Sequence, residues 1–178
     1  MLRLNLGSGG SRLEGHVNVD SNPDENPDLV LDLGSQVWPW RDSTVDAAIA
    51  SHILEHLTTE QFFHFMKELH RVLKPDAPVK IALPHPRHDI YLNDPTHQRP
   101  VTMATLLMLS KEHWATLRER GLHLTPFWRY LGVDFYIHPK TRYKLDPSID
   151  PNDPELQWKI KHLNNVALEI LVVMEARK

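Results

Sequence analysis

The first ten residues combine an alternating apolar run with a cluster of glycines. Leu2, Leu4 and Leu6 alternate with polar residues, and the run breaks at Gly7-Ser8-Gly9-Gly10. This pattern predicts a short strand that ends in a glycine-rich turn. Glycine lets the backbone approach a bound molecule closely, and open α/β sheets bind ligands at the carboxyl ends of their strands. The stretch therefore indicates a ligand site.

Two acidic residues follow the next two short apolar runs. Val17-Asn18-Val19 ends at Asp20, and Leu29-Val30-Leu31 ends at Asp32. An acid at the tip of the second strand is the group that nucleoside and dinucleotide sites use to hold ribose hydroxyls. A nicotinamide dinucleotide is disfavoured, because its G-x-G-x-x-G pattern needs glycine where Arg12 stands and a helix after the turn.

Titratable side chains concentrate in the irregular stretch 84–100. They could hydrogen-bond loop backbone, bind a divalent cation or supply a general base, and they are His85, His88, Asp89, Asp94 and His97. His97 is the first candidate for a base and His85 the second, because both lie in the loop after the fifth predicted strand.

His52 and His56 are four residues apart, which is also a spacing of metal ligands. No acid pair in the sequence is placed to complete a zinc site with them. The sequence therefore assigns no metal ligand.

These residues are positioned by seven predicted strands. The strands cover residues 2–6, 17–19, 29–31, 45–50, 79–83, 132–137 and 166–174. The chain between Gly10 and the second strand is too short for a crossover helix, so the first helix is reduced or missing. Thr58 and Gln61 form a capping box before an apolar helical stripe, and further helices begin at Thr102 and Ser110. Strands with polar carboxyl ends predict an α/β fold with a mostly parallel sheet.

Composition narrows the class of protein. The 178 residues fit one domain and include no cysteine, which excludes disulfides, thiolate zinc sites and cysteine nucleophiles. A net charge of -3 argues against a surface built for nucleic acid or an anionic membrane. With neither an apolar run long enough for a membrane span nor a signal-peptide pattern, the sequence predicts a cytoplasmic protein without membrane contact.

Five segments together resemble a known family. They are Leu4-Asn5-Leu6-Gly7-Ser8-Gly9-Gly10, Val19-Asp20, Asp32-Leu33, Ser51-His52-Ile53-Leu54-Glu55-His56-Leu57 and Arg71-Val72-Leu73-Lys74-Pro75. In order and place they resemble class I S-adenosylmethionine-dependent methyltransferases, in particular compact members in which the glycine turn is followed almost directly by Val-Asn-Val-Asp. The resemblance covers residues 2–83 well and extends more loosely to Thr102.

The resemblance implies a Rossmann-like, mostly parallel seven-stranded sheet with an antiparallel last strand. It divides the single domain 1–178 into a cofactor-binding half, 1–83, and a half 84–178 that carries acceptor-side loops, helices and the last two strands. Since one sheet face would be thinly covered, a homodimer is also compatible with the sequence.

The resemblance also implies a cofactor site for S-adenosylmethionine. Gly7 and Gly9 would approach the methionine end, Asp20 would bind the ribose, Asp32 and Leu33 would flank the adenine, and Ser51 and His52 would lie near the reactive methyl. The rest of the predicted site belongs to the same turn motif and consists of Asn5, Leu6, Ser8 and Gly10. Asn5 stands where the family usually has an acid, and Ser11 where it often has a third glycine.

Three functions remain open from the sequence. The first is transfer of a methyl group to an oxygen or nitrogen of a small-molecule acceptor. The second is a non-catalytic partner or cofactor-binding domain of the same fold, which Asn5 and Ser11 favour. The third is a nucleic-acid-directed methyltransferase, for which Lys140, Arg142, Tyr143 and Lys144 could supply contacts, although a solvated loop face explains them as well.

Overall fold

The computed structural model describes residues 1–138 and 142–178, and in this part of the chain eight strands form one sheet. The strands are β1 (Arg3–Leu6), β2 (Val17–Asp20), β3 (Leu29–Val30), β4 (Ala47–Ser51), β5 (Pro78–Pro84), β6 (Phe135–Ile137), β7 (Arg142–Leu145) and β8 (Ala167–Ala176). Seven of them follow the order β3-β2-β1-β4-β5-β8-β6, and β7 pairs with β8. The order reverses between β1 and β4, where open α/β sheets place their ligands.

Strand directions agree with the sequence prediction. β1 pairs in parallel with β2 and β4, with Leu4 opposite both Val17 and Ala48. β8 runs antiparallel to β5, β6 and β7. The mostly parallel Rossmann-like sheet with an antiparallel last strand is therefore confirmed.

The prediction of seven strands is corrected to eight by β7. Arg142, Tyr143, Lys144 and Leu145 alternate polar and apolar side chains, and they pair with the first half of β8 while β6 pairs with its second half. The sequence analysis interpreted this stretch as a basic loop. Lys140 lies outside the described residues.

The connection between β1 and β2 contains turns and no helix among residues 7–16, which confirms the predicted reduction of the first helix. Gly7 and Gly9 both adopt positive φ, at 66° and 47°. Left-handed backbone at two positions so close together is incompatible with a right-handed helix.

The helix α1 (Thr59–Val72) is the main cover of one sheet face. The hydroxyl of Thr58 accepts from the backbone N–H of Gln61, whose side chain accepts from the N–H of Thr58, so the predicted capping box is present. Its buried apolar side chains are Phe62, Phe65, Met66, Leu69 and Val72. Each stabilises the fold by about 1.5–3 kcal/mol through burial.

The second half of the chain carries shorter helices. They are α2 (Asp89–Leu92), α3 (Met103–Leu107), α4 (Lys111–Glu119), α5 (Phe127–Leu131) and α6 (Leu156–His162). Thr102 and Ser110 cap α3 and α4 as predicted. Among the described residues, no helix combines the length and apolar character needed to cross a membrane.

The sheet face opposite α1 is only partly covered. Ile49, Ala82, Leu171 and Val173 line a groove of about 520 Å³ on this face. Homodimer formation stays a prediction.

Candidate active site

A cleft of about 480 Å³ lies at the carboxyl ends of the parallel strands. Six of the residues predicted for a cofactor line it, and they are Gly7, Gly9, Asp20, Asp32, Leu33 and His52. They lie at or just after the carboxyl ends of four strands, β1, β2, β3 and β4. The fold therefore brings together residues that the sequence keeps far apart.

The glycine turn forms one wall of the cleft, and its first glycine has no room for a side chain. A Cβ atom at Gly7 would lie 2.7 Å from Cδ1 of Ile53. At Gly9 a Cβ would meet nothing within 4 Å. The backbone at Gly9 therefore faces open space that a ligand can enter, while Gly7 is required for packing of the turn against the loop after β4.

Asp20 holds the turn from the end of β2. Its Oδ2 accepts from the backbone N–H of Gly9 over 2.7 Å, and its Oδ1 accepts from the backbone N–H of Asn22 over 2.9 Å. A carboxylate has about four acceptor positions. Two remain for hydroxyl donors from the cleft.

Asp32 lies across the cleft with an ordered carboxylate. It accepts from the hydroxyl of Ser35 over 2.5 Å and from the backbone N–H of Gly34 over 2.9 Å. The Ser35 hydrogen bond is the main cause that lowers the pKa of Asp32, with the Gly34 N–H adding to it. Next to it, the carbonyl of Leu33 accepts from the indole of Trp38 over 3.2 Å, which anchors this wall to the core.

The other predicted cofactor residues lie behind or beside the cleft. Leu6 is fully buried in the core, and a Cβ atom at Gly10 would lie 3.2 Å from Oε2 of Glu25. Ser51 lines the groove on the opposite face of the sheet. Ser8 is buried, and its hydroxyl has no hydrogen-bond partner within residues 1–138 and 142–178.

Asn5 is also buried, and it supports the turn from below. Its side-chain amide donates to the carbonyl of Ser11 and to Oδ1 of Asn18, both over 2.9 Å. These are donor interactions that an acid at this position would not make. Asn5 therefore fits a loop that replaces a helix.

His52 occupies the junction between β4 and the next turn with a positive φ of 52°. Its Nδ1 lies 3.3 Å from Oε1 of Glu55, and its Nε2 lies 3.6 Å from Oε1 of Glu169. The carboxylate of Glu55 is the main cause that raises the pKa of His52 above its usual value, against the opposing effect of burial. The two carboxylates therefore favour the protonated form of His52.

Sequence reasoning missed several residues that line the cleft. They are Ser21, Leu31, Gly34, Ile53, His56, Leu57 and Gln61. A Cβ at Gly34 would lie 3.0 Å from the side chain of Gln61, so a larger residue here would require Gln61 to shift. Gly34 directly follows Asp32 and Leu33, which were predicted for the site, and this position in the sequence could have identified it.

The two candidate bases lie in different places. The side chain of His97 is only 7 % exposed and packs against His56, with ring centroids 4.7 Å apart, so it lies directly behind a cleft residue. His85 lines a separate cavity with Tyr143 and Ile170. Burial lowers the pKa of His85, and nearby Arg87 and His88 add to this effect.

The chain is similar to known proteins in sequence and in fold. A family model described as a methyltransferase domain matches residues 16–79. A structure of a SAM-dependent methyltransferase from Archaeoglobus fulgidus is similar with a TM-score of 0.65 and 20% identity, over 98% of this chain and 85% of that one.

Two further solved structures are similar over nearly the whole chain. One is a methyltransferase of Haloferax volcanii in complex with the Trm112 methyltransferase activator, with a TM-score of 0.56, 16% identity and coverage of 99% and 83%. The other is the 1,6-didemethyltoxoflavin-N1-methyltransferase of Burkholderia thailandensis with bound S-adenosylhomocysteine, with a TM-score of 0.52, 13% identity and coverage of 99% and 71%. No curated protein gives a significant match.

The sheet order, the cleft at its reversal point and these similarities define the fold as that of a class I, Rossmann-like methyltransferase. The methyltransferase-domain match within residues 16–79 confirms the resemblance drawn from the sequence.

Proposed function

We propose that this chain is a cytoplasmic S-adenosylmethionine-dependent methyltransferase that transfers a methyl group to an oxygen or nitrogen of a small-molecule acceptor. One observation carries the proposal. Asp20 and Asp32 extend from the ends of neighbouring strands into the same cleft as the glycine turn. The two carboxylates can accept hydrogen bonds from hydroxyl groups of a ligand. The glycine backbone lets a polar part of the same ligand approach closely.

Three features of the cleft fit the cofactor. Gly9 faces open space where a close backbone approach is possible, and Asp20 keeps acceptor positions for ribose hydroxyls. The hydroxyl of Ser8 is buried in the turn without a partner among the described residues. Buried polar groups are normally hydrogen-bonded, so this hydroxyl suits a polar group of a ligand.

The cofactor supplies one piece of chemistry: the acceptor atom forms a bond to the methyl carbon while the carbon–sulfur bond breaks, its electron pair stays on sulfur, and the acceptor releases any proton it carries. The chain's part is to bind and align the reactants. Asp20 would hold the ribose, and Leu33 and Asp32 would flank the adenine. His52, at the other end of the cleft, would lie on the reactive side. Alignment of this kind supplies much of the rate in a displacement.

A base is needed only where the acceptor carries a proton at neutral pH. His97 is the better placed of the two candidates, because it packs against His56 in the cleft wall. Its Nδ1 donates to the carbonyl of Tyr91 over 2.7 Å. The other ring nitrogen, Nε2, is therefore unprotonated in neutral His97 and can accept a proton or bind a ligand.

The proposal is tested by calorimetric titration of the purified protein with S-adenosylhomocysteine and, in parallel, with a nicotinamide dinucleotide. We expect S-adenosylhomocysteine to bind with micromolar affinity, which corresponds to about 8 kcal/mol, and the dinucleotide not to bind. Absence of S-adenosylhomocysteine binding would contradict the proposal and favour a non-catalytic partner domain.

A further inference from the structure

Three side chains of types that can bind metals converge at and behind the cleft residue His56. Glu55 and His56 lie in the turn after β4, and His97 comes from the loop between α2 and α3. One potential ligand atom from each lies within 4.8 Å of the other two. One carboxylate and two imidazoles form a ligand set that divalent transition metals accept, as in zinc and non-haem iron sites.

The carboxylate of Glu55 is buried without a hydrogen bond. Glu55 is 1% exposed, and neither of its oxygens has a hydrogen-bond partner within residues 1–138 and 142–178. Nδ1 of His52 lies 3.3 Å from Oε1 of Glu55, so protonated His52 offsets part of the buried charge. Burying a carboxylate whose oxygens accept no hydrogen bond is still costly. A bound cation would reduce this cost.

Hydrogen bonds fix the tautomer of neutral His56 and of neutral His97. The hydroxyl of Thr96 donates to Oδ1 of Asp94 over 2.6 Å, so towards Nδ1 of His56, 2.9 Å away, it acts as the acceptor. Nδ1 of His97 likewise donates to the carbonyl of Tyr91. In both rings Nε2 is therefore left bare. Metal-binding histidines are oriented in this way by a second hydrogen bond from the other ring nitrogen.

The backbone holds the two segments together. The N–H of Gln98 donates to the carbonyl of Glu55 over 2.8 Å, which places His97 against His56. The ring of His97 also stacks on Tyr91, with centroids 4.8 Å apart and an angle of 23°. Oδ2 of Asp94 lies 3.9 Å from Nε2 of His97.

We propose that Glu55, His56 and His97 form a binding site for a divalent transition-metal cation such as Zn²⁺. Zinc binds nitrogen and oxygen at about 2.0–2.2 Å, which places neighbouring ligand atoms roughly 3–3.5 Å apart. The three ligand atoms lie within 4.8 Å of one another, so the side chains would have to move closer together when the cation binds. His56 also lines the cleft, so the cation has open positions on the acceptor side. There it would bind an acceptor oxygen and lower its pKa, a role that rests on the proposed methyltransferase function. With the cation on its Nε2, His97 would act as a ligand and not as the base.

The experiment uses Co²⁺ as the probe, because its visible absorption reports nitrogen and oxygen ligation. Protein freed of metal by a chelator is titrated with Co²⁺ and then with Zn²⁺. We expect one equivalent of Co²⁺ to bind with a visible ligand-field band and Zn²⁺ to displace it. Glu55→Gln and His97→Ala should abolish the band. Thr96→Val, which removes the acceptor that orients His56 and the hydroxyl donor to Asp94, should weaken binding about 10–100-fold.

His162→Ala is the matched control. His162 also has its Nδ1 bonded to a backbone carbonyl, that of Trp158 at 2.8 Å, and its ring stacks on Trp158 at 4.8 Å, but it lies outside the cluster. This variant should bind Co²⁺ as the wild type does. Wild-type protein that binds no stoichiometric Co²⁺, or folded Glu55→Gln protein that binds it equally well, would overturn the proposal.

S-adenosylhomocysteine is titrated into the same chelator-treated samples, and circular dichroism checks that each variant is folded. Retained S-adenosylhomocysteine binding without Co²⁺ binding refutes the metal site alone. Co²⁺ binding without S-adenosylhomocysteine binding refutes the methyltransferase proposal and leaves the metal site standing.

Discussion

The side-chain amide of Asn5 donates a 2.9 Å hydrogen bond to Oδ1 of Asn18 beneath the glycine turn. Oδ1 of Asn18 also accepts from the backbone N–H of Leu13, and Nδ2 of Asn18 donates to Oδ2 of Asp28 over 2.8 Å. This buried network ties β1, the turn and β2 together.

Asn5→Asp should destabilise the protein, although the change restores the acid that the family usually carries. A carboxylate at this position would face the oxygen acceptors of Asn18 and Ser11 without a donor for either. Leaving buried groups unsatisfied costs about 1–3 kcal/mol. Urea unfolding at neutral pH measures the loss.

The matched control is Asn22→Asp, at an exposed position where the side chain accepts from the backbone N–H of Asp24. An aspartate keeps that interaction, so stability should stay within about 0.5 kcal/mol of the wild type. Equal stability of Asn5→Asp and Asn22→Asp would show that the Asn5 amide is not needed.

Gly7→Ala should be more damaging than Gly15→Ala, because the two positions share a positive φ but differ in space. Gly15 has a φ of 74°, and a Cβ there would meet nothing within 4 Å, whereas at Gly7 the Cβ would contact Ile53 at 2.7 Å. The φ penalty of about 1–2 kcal/mol applies to both variants. Overpacking adds roughly 1–3 kcal/mol at Gly7 only. Thermal unfolding of the two variants gives the difference, and similar losses would exclude the steric effect.

His85 should make the protein less stable in mild acid. Burial lowers its pKa below the ordinary value of 6.5, so the unfolded chain takes up this proton more readily than the folded one. The resulting loss in the free energy of unfolding is absent above about pH 6.5, and it grows as the pH falls towards the lowered pKa of His85. Urea unfolding between pH 7.5 and 5.5 should show a smaller decline for His85→Gln than for the wild type. His123→Gln, at an exposed histidine, should decline as the wild type does, and parallel declines of all three proteins would rule the effect out.

Glu68→Gln should destabilise the attachment of the Trp38 loop to α1. The carboxylate of Glu68 accepts from the backbone N–H of Trp38 over 2.7 Å and from two nitrogens of Arg71 over 2.7–2.8 Å. Because the pair is partly accessible to solvent, we expect a loss of about 1–3 kcal/mol in the free energy of unfolding. Lys67→Gln, on the exposed face of the same helix, should change little. A Glu68→Gln protein as stable as Lys67→Gln would contradict this role.

Local patterns predicted the first half of the fold. The alternating apolar residues of β1, the acid after β2 and the capping box at Thr58 each reflect a preference that acts within a few residues. The weaker elements of the second half escaped prediction. β7 is a short edge strand with charged residues, and α6 lies in a connection rich in Asp-Pro pairs.

The site was predicted in part for the same reason. Asp20 and Gly9 are close in sequence, and their contact follows from the turn. Glu55 and His97 are brought together by a backbone hydrogen bond from Gln98 across two loops. Such a tertiary contact has no periodic signal in the sequence.

The most direct measurement is the affinity of Asp20→Asn for S-adenosylhomocysteine, beside the wild type and Asp24→Asn. Asp24 is an exposed acid in the turn after β2, so its variant controls for the loss of one charge. Hydrogen bonds to a charged group contribute about 1.5–3 kcal/mol. We therefore expect Asp20→Asn to bind about tenfold to hundredfold more weakly, with Asp24→Asn unchanged. Equal affinity of all three proteins would contradict the assignment of Asp20 to the cofactor ribose.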